Sequence, residues 1–294
     1  MLALGLPFTE QEQTQLEVFP VSIQAGLSRH WSVQEIPYGS IDRQRARSDP
    51  HLLYLVAGAS FVEITSDLYA DNLVEYFAGD DGLSHWLRER WEQEEKQHGR
   101  ALRRYVETVW PELDWEKAYQ GFYAEYAPYC AVGMLGPTRA LELASRCVVE
   151  TGTATFYAAL AKVSPEPVLA ELASRIKDDE HRHFYLYLYH YGRWAGQEGT
   201  GRIEVLAALR ARMSELDRED IYYAIKHVFL VMHPGQPFTA ADYRRIKRHY
   251  TRLARHHYPY RTAAGMLLRP LRLSPILQSV AAPLLAFAGW LLLS

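Results

Sequence analysis

Cysteine is nearly absent: only Cys130 and Cys147 occur in 294 residues. Two thiols supply no disulfide framework, zinc ribbon or C-x-x-C redox pair, and their scarcity fits a reducing, cytoplasmic setting. No G-x-G-x-x-G or other nucleotide or flavin fingerprint is present. Positive charge is not in excess either. Lys plus Arg number 32 against 35 Asp plus Glu, a formal net charge of -3, which argues against a generally nucleic-acid-binding chain. Alternating strand patterns, internal repeats and low-complexity segments are all missing. The N-terminal MLALGLPFTEQEQ lacks the basic region of a signal peptide, so none is expected.

What is present is globular: 48% of residues are apolar and 23% charged, enough to bury a sizeable core. Four long helical segments are predicted. The first runs from His51 to Phe77 and ends at the Gly79–Gly82 turn cluster. The second, with Ser84 as N-cap, reaches about Val109, before Trp110-Pro111. The third follows Pro137 to about Val163, and the fourth runs from the Ser164–Pro167 break to Trp194. Each has about 27 residues, roughly 40 Å at the helical rise. Short turns join them as two antiparallel hairpins, and a long crossover with a helix near 115–126 links the hairpins. This predicts an all-α fold with the ferritin-like layout of a four-helix bundle, core at about 51–194. Additional C-terminal helices are expected near 202–214, 217–232 and 239–257. Residues 1–260 thus form one domain, followed by a hydrophobic tail at 261–294.

Two E-x-x-H motifs stand on the second and fourth helices, Glu95-Lys96-Gln97-His98 and Glu180-His181-Arg182-His183. At i and i+3 a carboxylate and an imidazole project from one helix face and can reach one metal. Composition alone is expected to give about one such spacing, so the motifs by themselves say little. Position says more. Glu150 and Glu180 are equidistant from residue 165, inside one turn, and Glu63 and Glu95 from residue 79, at the other. In an antiparallel pair such residues lie level, because both helices rise equally per residue. Each hairpin therefore sets a Glu opposite an E-x-x-H. Glu63 and Glu150 sit in apolar stretches, where a lone carboxylate is costly unless paired or metal-bound. Asp67, one turn from Glu63, is an alternative to it, while a buried hydrogen-bonded acid, a core histidine or a solvated charged face are the ordinary readings of the single residues.

These residues resemble the soluble acyl-carrier-protein desaturases. Trp91-Glu92-Gln93-Glu94-Glu95-Lys96-Gln97-His98-Gly99 matches that family's Trp-x-x-Glu-Glu-x-x-His-Gly, and Asp179-Glu180-His181-Arg182-His183 matches its Asp-Glu-x-Arg-His. Glu150 and Thr153 fit the Glu-x-x-Thr of that family's Glu-x-x-Thr-Phe, with Phe156 two residues late. The resemblance spans roughly 50–195. It implies Glu63, Glu95, His98, Glu150, Glu180 and His183 as ligands of two iron ions. It further implies Asp179 as an acceptor orienting His98, Trp91 in an electron or hydrogen-bond path, and Thr153 on the oxygen-binding side. The implied activity is dioxygen-dependent introduction of a double bond into a carrier-linked fatty acyl chain. A ferredoxin-type electron donor and a homodimeric assembly go with it. Thr153 has an ordinary alternative in back-bonding to its own helix. Other outcomes of the same ligand chemistry are a monooxygenase or N-oxygenase on another substrate, a non-enzymatic iron-binding or storage protein, or a bundle with no metal.

The basic segment 239–257, with Arg244, Arg245, Lys247, Arg248, Arg252 and Arg255, is a candidate landing site for an acidic acyl carrier protein, or else a solvated face. The tail's apolar run, 280–293, falls short of the roughly 20 residues needed to span a bilayer, and Pro283 weakens it. It is expected either to fold over the bundle or to contact a membrane peripherally through 276–293, with Arg261, Arg269 and Arg272 favouring anionic lipid.

Overall fold

The computed structural model describes residues 30–215 and 220–292. The N-terminal stretch read for a signal peptide, the first residues of the 217–232 helix and Leu293 lie outside the described residues. Every regular element among those described is helical.

The first long segment is two helices, α1 (Leu52–Ile64) and α2 (Ser66–Tyr76), where one was expected. The break falls at Thr65, whose hydroxyl donates back to the Phe61 carbonyl at 2.7 Å and competes with the helical ladder. The stretch Leu52–Tyr76 is long and apolar enough to cross a membrane, yet 61% of its apolar window is buried inside the protein, as in a core helix. The second segment begins earlier than Ser84. Gly79, at φ +92°, turns the chain so that the Asp80 carboxylate accepts from the Leu83 amide at 3.2 Å and caps α3 (Asp81–Trp86). A π-helical turn, Leu87–Trp91, then leads into α4 (Glu92–Val109), directly ahead of the first E-x-x-H motif.

The crossover carries α5 (Trp115–Tyr126), capped by Asp114. The second hairpin is α6 (Arg139–Val163), capped by Thr138, and α7 (Pro167–Glu198), capped by Glu166 with proline in its first turn. α7 outlasts the expected end at Trp194. It carries Gly192 and Gly196 inside the helix and stops where Gly199 enters the left-handed region at φ +67°. α7 packs along the length of α6, and α4 along α1; α4 and α7 also meet. Gly99 permits the α1–α4 approach, since a Cβ there would stand 2.7 Å from the Ile64 nitrogen. Two apolar clusters flank the centre, one including Phe61, Tyr105 and Phe122, the other Leu73, Leu87 and Phe184.

Four further helices dress this frame: α8 (Arg202–Glu215) on α6, α9 (Asp220–Met232) on α1 and α5, α10 (Ala240–Arg255), and α11 (Tyr260–Leu268) on α6. The tail forms α12 (Pro275–Leu292), with Pro283 inside it. It does not fold over the bundle. Among the described residues it packs mainly on the short α11, with Arg255 of α10 over the Trp290 ring, so it turns Ala286 inward while Ile276, Leu284 and Phe287 stay 78%, 65% and 60% exposed.

Candidate metal centre

Equal helical rise on either side of each turn brings the six predicted residues to one level, and all six are buried. They make two quartets, Glu63–Glu95–His98–Glu180 and Glu95–Glu150–Glu180–His183. In each, one potential ligand atom per residue lies within 4.8 Å of the other three. Glu95 and Glu180 belong to both, which places them where carboxylates shared between two ions would stand. Asp67 is not among them. Its side chain is half exposed, 4.0 Å from the Lys96 ammonium.

The two imidazoles are oriented alike. His98 Nδ1 stands 3.1 Å from Glu180 and 3.6 Å from Glu63, and His183 Nδ1 stands 2.9 Å from Glu95 and 3.6 Å from Glu150. Each Nε2 points outward to a carboxylate: His98 donates to Asp179 at 2.9 Å, as the resemblance implies, and His183 donates to Glu94 at 2.8 Å. A carboxylate only accepts, so Nε2 carries a proton, and Nδ1 is the ring nitrogen turned toward the cluster, where a metal would take it. Both motifs therefore read acid-Glu-x-x-His, and the leading acid crosses to the histidine of the other motif. Glu94, one of the acids in the charged run around Glu95, is the counterpart of Asp179. Arg182 ties the pair together, bonding Asp179 through Nη1 and Glu94 at 3.0 Å through Nη2. Burial works against ionisation of Glu94, but the Arg182 charge outweighs it and holds the carboxyl well below the usual range.

Inside the cluster the shifts diverge. Burial, then the charges of Glu180 and Glu63, pushes Glu95 well above the carboxylate range. Burial pushes Glu150 up to about 8 against the opposing contact from His183. Burial also disfavours the Glu180 anion, yet the His183 and His98 rings hold it below its ordinary value. Both histidines are raised well above theirs, the surrounding carboxylates outweighing burial. Five of the inward atoms are buried without a hydrogen-bond partner: Glu95 Oε1, His98 Nδ1, Glu150 Oε2, Glu180 Oε1 and His183 Nδ1. Each such atom costs about 1–3 kcal/mol or more if charged, and converging lone pairs of this kind are what a cation satisfies. Four carboxylates and two imidazoles fit iron among divalent metals, without excluding manganese or zinc.

Thr153 stands 2.7 Å from Glu180 Oε2, closer than the carbonyls of Val149 and Glu150 at 3.3 and 3.2 Å. Tyr157, which the sequence did not single out, donates to Glu63. Trp91 is buried beside the carboxylates, but its indole N–H has no hydrogen-bond partner. The indole that reaches the Asp179–His98 pair is that of Trp31, which donates to Asp179 at 2.8 Å while its ring stacks 6.1 Å from His98. Trp31 precedes the first helix, and no spacing rule connects it to either motif.

Two cavities adjoin the cluster. One, of about 270 Å³, is lined by Glu63, Glu95, Glu150 and Glu180 together with Arg146 and Trp91. The other, of about 410 Å³, is mostly apolar, with Tyr54, Leu55, Gly58, Phe156 and Ile225 in its wall. Val62, Glu63, Val149 and Thr153 line both. No protein-family model matches the chain, and no curated protein matches it either.

Proposed function

We propose that the chain is a ferritin-like, di-iron, dioxygen-dependent oxidoreductase that dehydrogenates a fatty acyl chain in the manner of the desaturases it resembles. The observation carrying this reading is the pair of buried quartets sharing Glu95 and Glu180, with five inward atoms lacking any hydrogen-bond partner. When bound, two irons would supply dioxygen activation and an oxidant able to take hydrogen from an unactivated C–H bond. Glu63, Glu95 and His98 would hold one ion and Glu150, His183 and Glu95 the other, with Glu180 common to both.

The chain's own residues do the rest. Asp179 and Glu94 orient both imidazoles, and Arg182 bonds both of those acids. Thr153 holds a proton at Oγ1 on the wall shared by the two cavities, where it can be passed inward through Glu180. Trp31, Asp179 and His98 form a hydrogen-bonded line by which electrons from a ferredoxin-type donor would reach the cluster. The 410 Å³ apolar cavity beside Glu63 and Thr153 favours an organic chain as substrate over iron storage, and does not by itself separate desaturation from oxygenation.

Resemblance implies a carrier-linked chain. Arg244, Arg245, Arg248 and Arg252 are exposed on α10, which offers an acidic carrier protein a positive face. A homodimer and peripheral membrane contact through the exposed apolar side of α12 belong to the same proposal. Metal analysis tests its foundation: reconstituted wild type is expected to hold about two irons per chain, lost in both Glu95→Ala and Glu180→Ala. Wild type that takes up no iron would remove it. Lipid profiles of a host with and without the protein then separate desaturation from storage, which should leave acyl chains unchanged.

A further inference from the structure

Arg146 plays no part in the cluster, yet it is 5% exposed and lines the same cavity as four of the six candidate ligands. It lies four residues before Glu150 on α6, so the two side chains share a helix face about 6 Å apart along the axis. Its Nε donates to Glu142 at 2.6 Å, and Glu142 is itself fully buried, accepting also from the Gly136 amide at 2.7 Å. That is the only hydrogen bond of the guanidinium among the described residues; its carbon lies 5.5 Å over the Tyr69 ring, and the Nη1–Nη2 edge has no hydrogen-bond partner there. A guanidinium is permanently charged, and two parallel N–H groups along one edge match the two oxygens of a carboxylate. Arg212 stands toward the outer part of the cavity, 3.2 Å from Glu215 and 3.9 Å from Glu142, and adds a second positive group on the approach.

The wall beyond Arg146 changes character in order. Along α6, Val149 and Glu150 come next, then Thr153, then Phe156, as the charged cavity gives way to the apolar one. Arg146 to Phe156 is about 15 Å of helix. We propose that Arg146 binds the carboxylate of a free fatty acid through its Nη1–Nη2 edge, with the alkyl chain laid along α6 into the apolar cavity. This rests on the di-iron acyl-chain reading and replaces the carrier-linked chain that the resemblance implies with a free acid, since a thioester carries no carboxylate for Arg146 to hold. The axial spacing puts the carbons nearest the head group beside Glu150 and Glu180, so reaction is directed to that end of the chain.

Equilibrium binding to the full-length, iron-reconstituted protein tests this with dodecanoate, its methyl ester and its pantetheine thioester. The acid is expected to bind roughly tenfold or more tightly than either neutral form, the worth of a charge-assisted pair. Arg146→Gln should abolish that preference while leaving ester affinity unchanged, and Arg146→Lys should restore part of it. Equal wild-type affinity for acid and ester overturns the proposal without needing any variant, as does an unaltered preference in a folded Arg146→Gln protein. Iron content measured on the same samples keeps the two readings apart. Two irons without acid preference sinks only the head-group assignment, and Arg146-dependent acid binding without iron sinks only the di-iron reading.

Discussion

Replacing Arg182 by Gln probes the acid pair that supports both histidines. The guanidinium is buried and bonds Asp179 and Glu94 at once. Its removal leaves two carboxylates beside two imidazoles with no cation between them. Breaking a buried ion pair by removing one partner costs about 3–5 kcal/mol. Because Glu94 keeps 17% of its side chain in contact with solvent, the lower half of that range is expected. For a chain of this size a loss of about 3 kcal/mol lowers the melting midpoint by roughly 6–12 °C. Glu94, whose carboxyl Arg182 holds down, would respond by taking up a proton, and a protonated acid is a poorer acceptor for imidazole N–H. Metal affinity should fall about 10–100-fold, the usual penalty for losing an outer hydrogen-bond partner. Thermal melts with and without metal, and competitive metal titration, measure both effects. A double-variant cycle sharpens the test. Glu94→Gln removes one of the charges that Arg182→Gln orphans, so the double variant should be more stable than the two separate losses add up to. An Arg182→Gln protein with unchanged melting and metal affinity, or strict additivity in the cycle, refutes the argument.

Three further outcomes are expected. Gly99→Ala forces a Cβ to within 2.7–2.9 Å of Ile64 backbone atoms, so α1 and α4 must separate beside Glu63 and His98. A loss of about 1–3 kcal/mol with reduced metal content follows, whereas Gly82→Ala, whose Cβ meets nothing nearer than 3.8 Å, should change neither. His190 is buried against Trp86, with Asp80 and Arg193 the charged groups facing it, and burial takes its pKa down to about 4 despite the pull of Asp80. Its folded value lies below the unfolded value of about 6.5, so its contribution is complete above that pH and is lost as pH falls toward 4, by roughly 3 kcal/mol in all. His190→Gln should flatten that part of the stability–pH curve; parallel curves for the two proteins would contradict it. Finally, deleting the residues after 273 removes the exposed apolar face of α12, and should abolish sedimentation with anionic vesicles if that face contacts lipid. Unchanged partitioning excludes the anchor.

Much of the centre was readable because a helix is a ruler. Counting outward from two turns aligned Glu63 with Glu95 and Glu150 with Glu180, and the E-x-x-H spacing put each histidine on its glutamate's face. At two positions contacts across helices, not the count along them, place the side chain. Asp67 fits the count nearly as well as Glu63, but the break at Thr65 separates it from α1 and leaves it near solvent. Glu94 reads as one acid in a charged run, although its carboxylate crosses to His183.

Local rules operate within a few residues: rise per residue, i to i+3 spacing, caps and turn glycines. They determined that this chain is helical, where its long helices lie to within a few residues, and, apart from the choice between Glu63 and Asp67, which side chains stand level. Rotation of one helix against another obeys no such rule, because it depends on how whole side-chain surfaces interlock. Packing alone therefore decided that Trp31 rather than Trp91 reaches Asp179, that Tyr157 meets Glu63, and that Arg146 faces the cavity. It also decided that the tail rests on α11 with its apolar side outward.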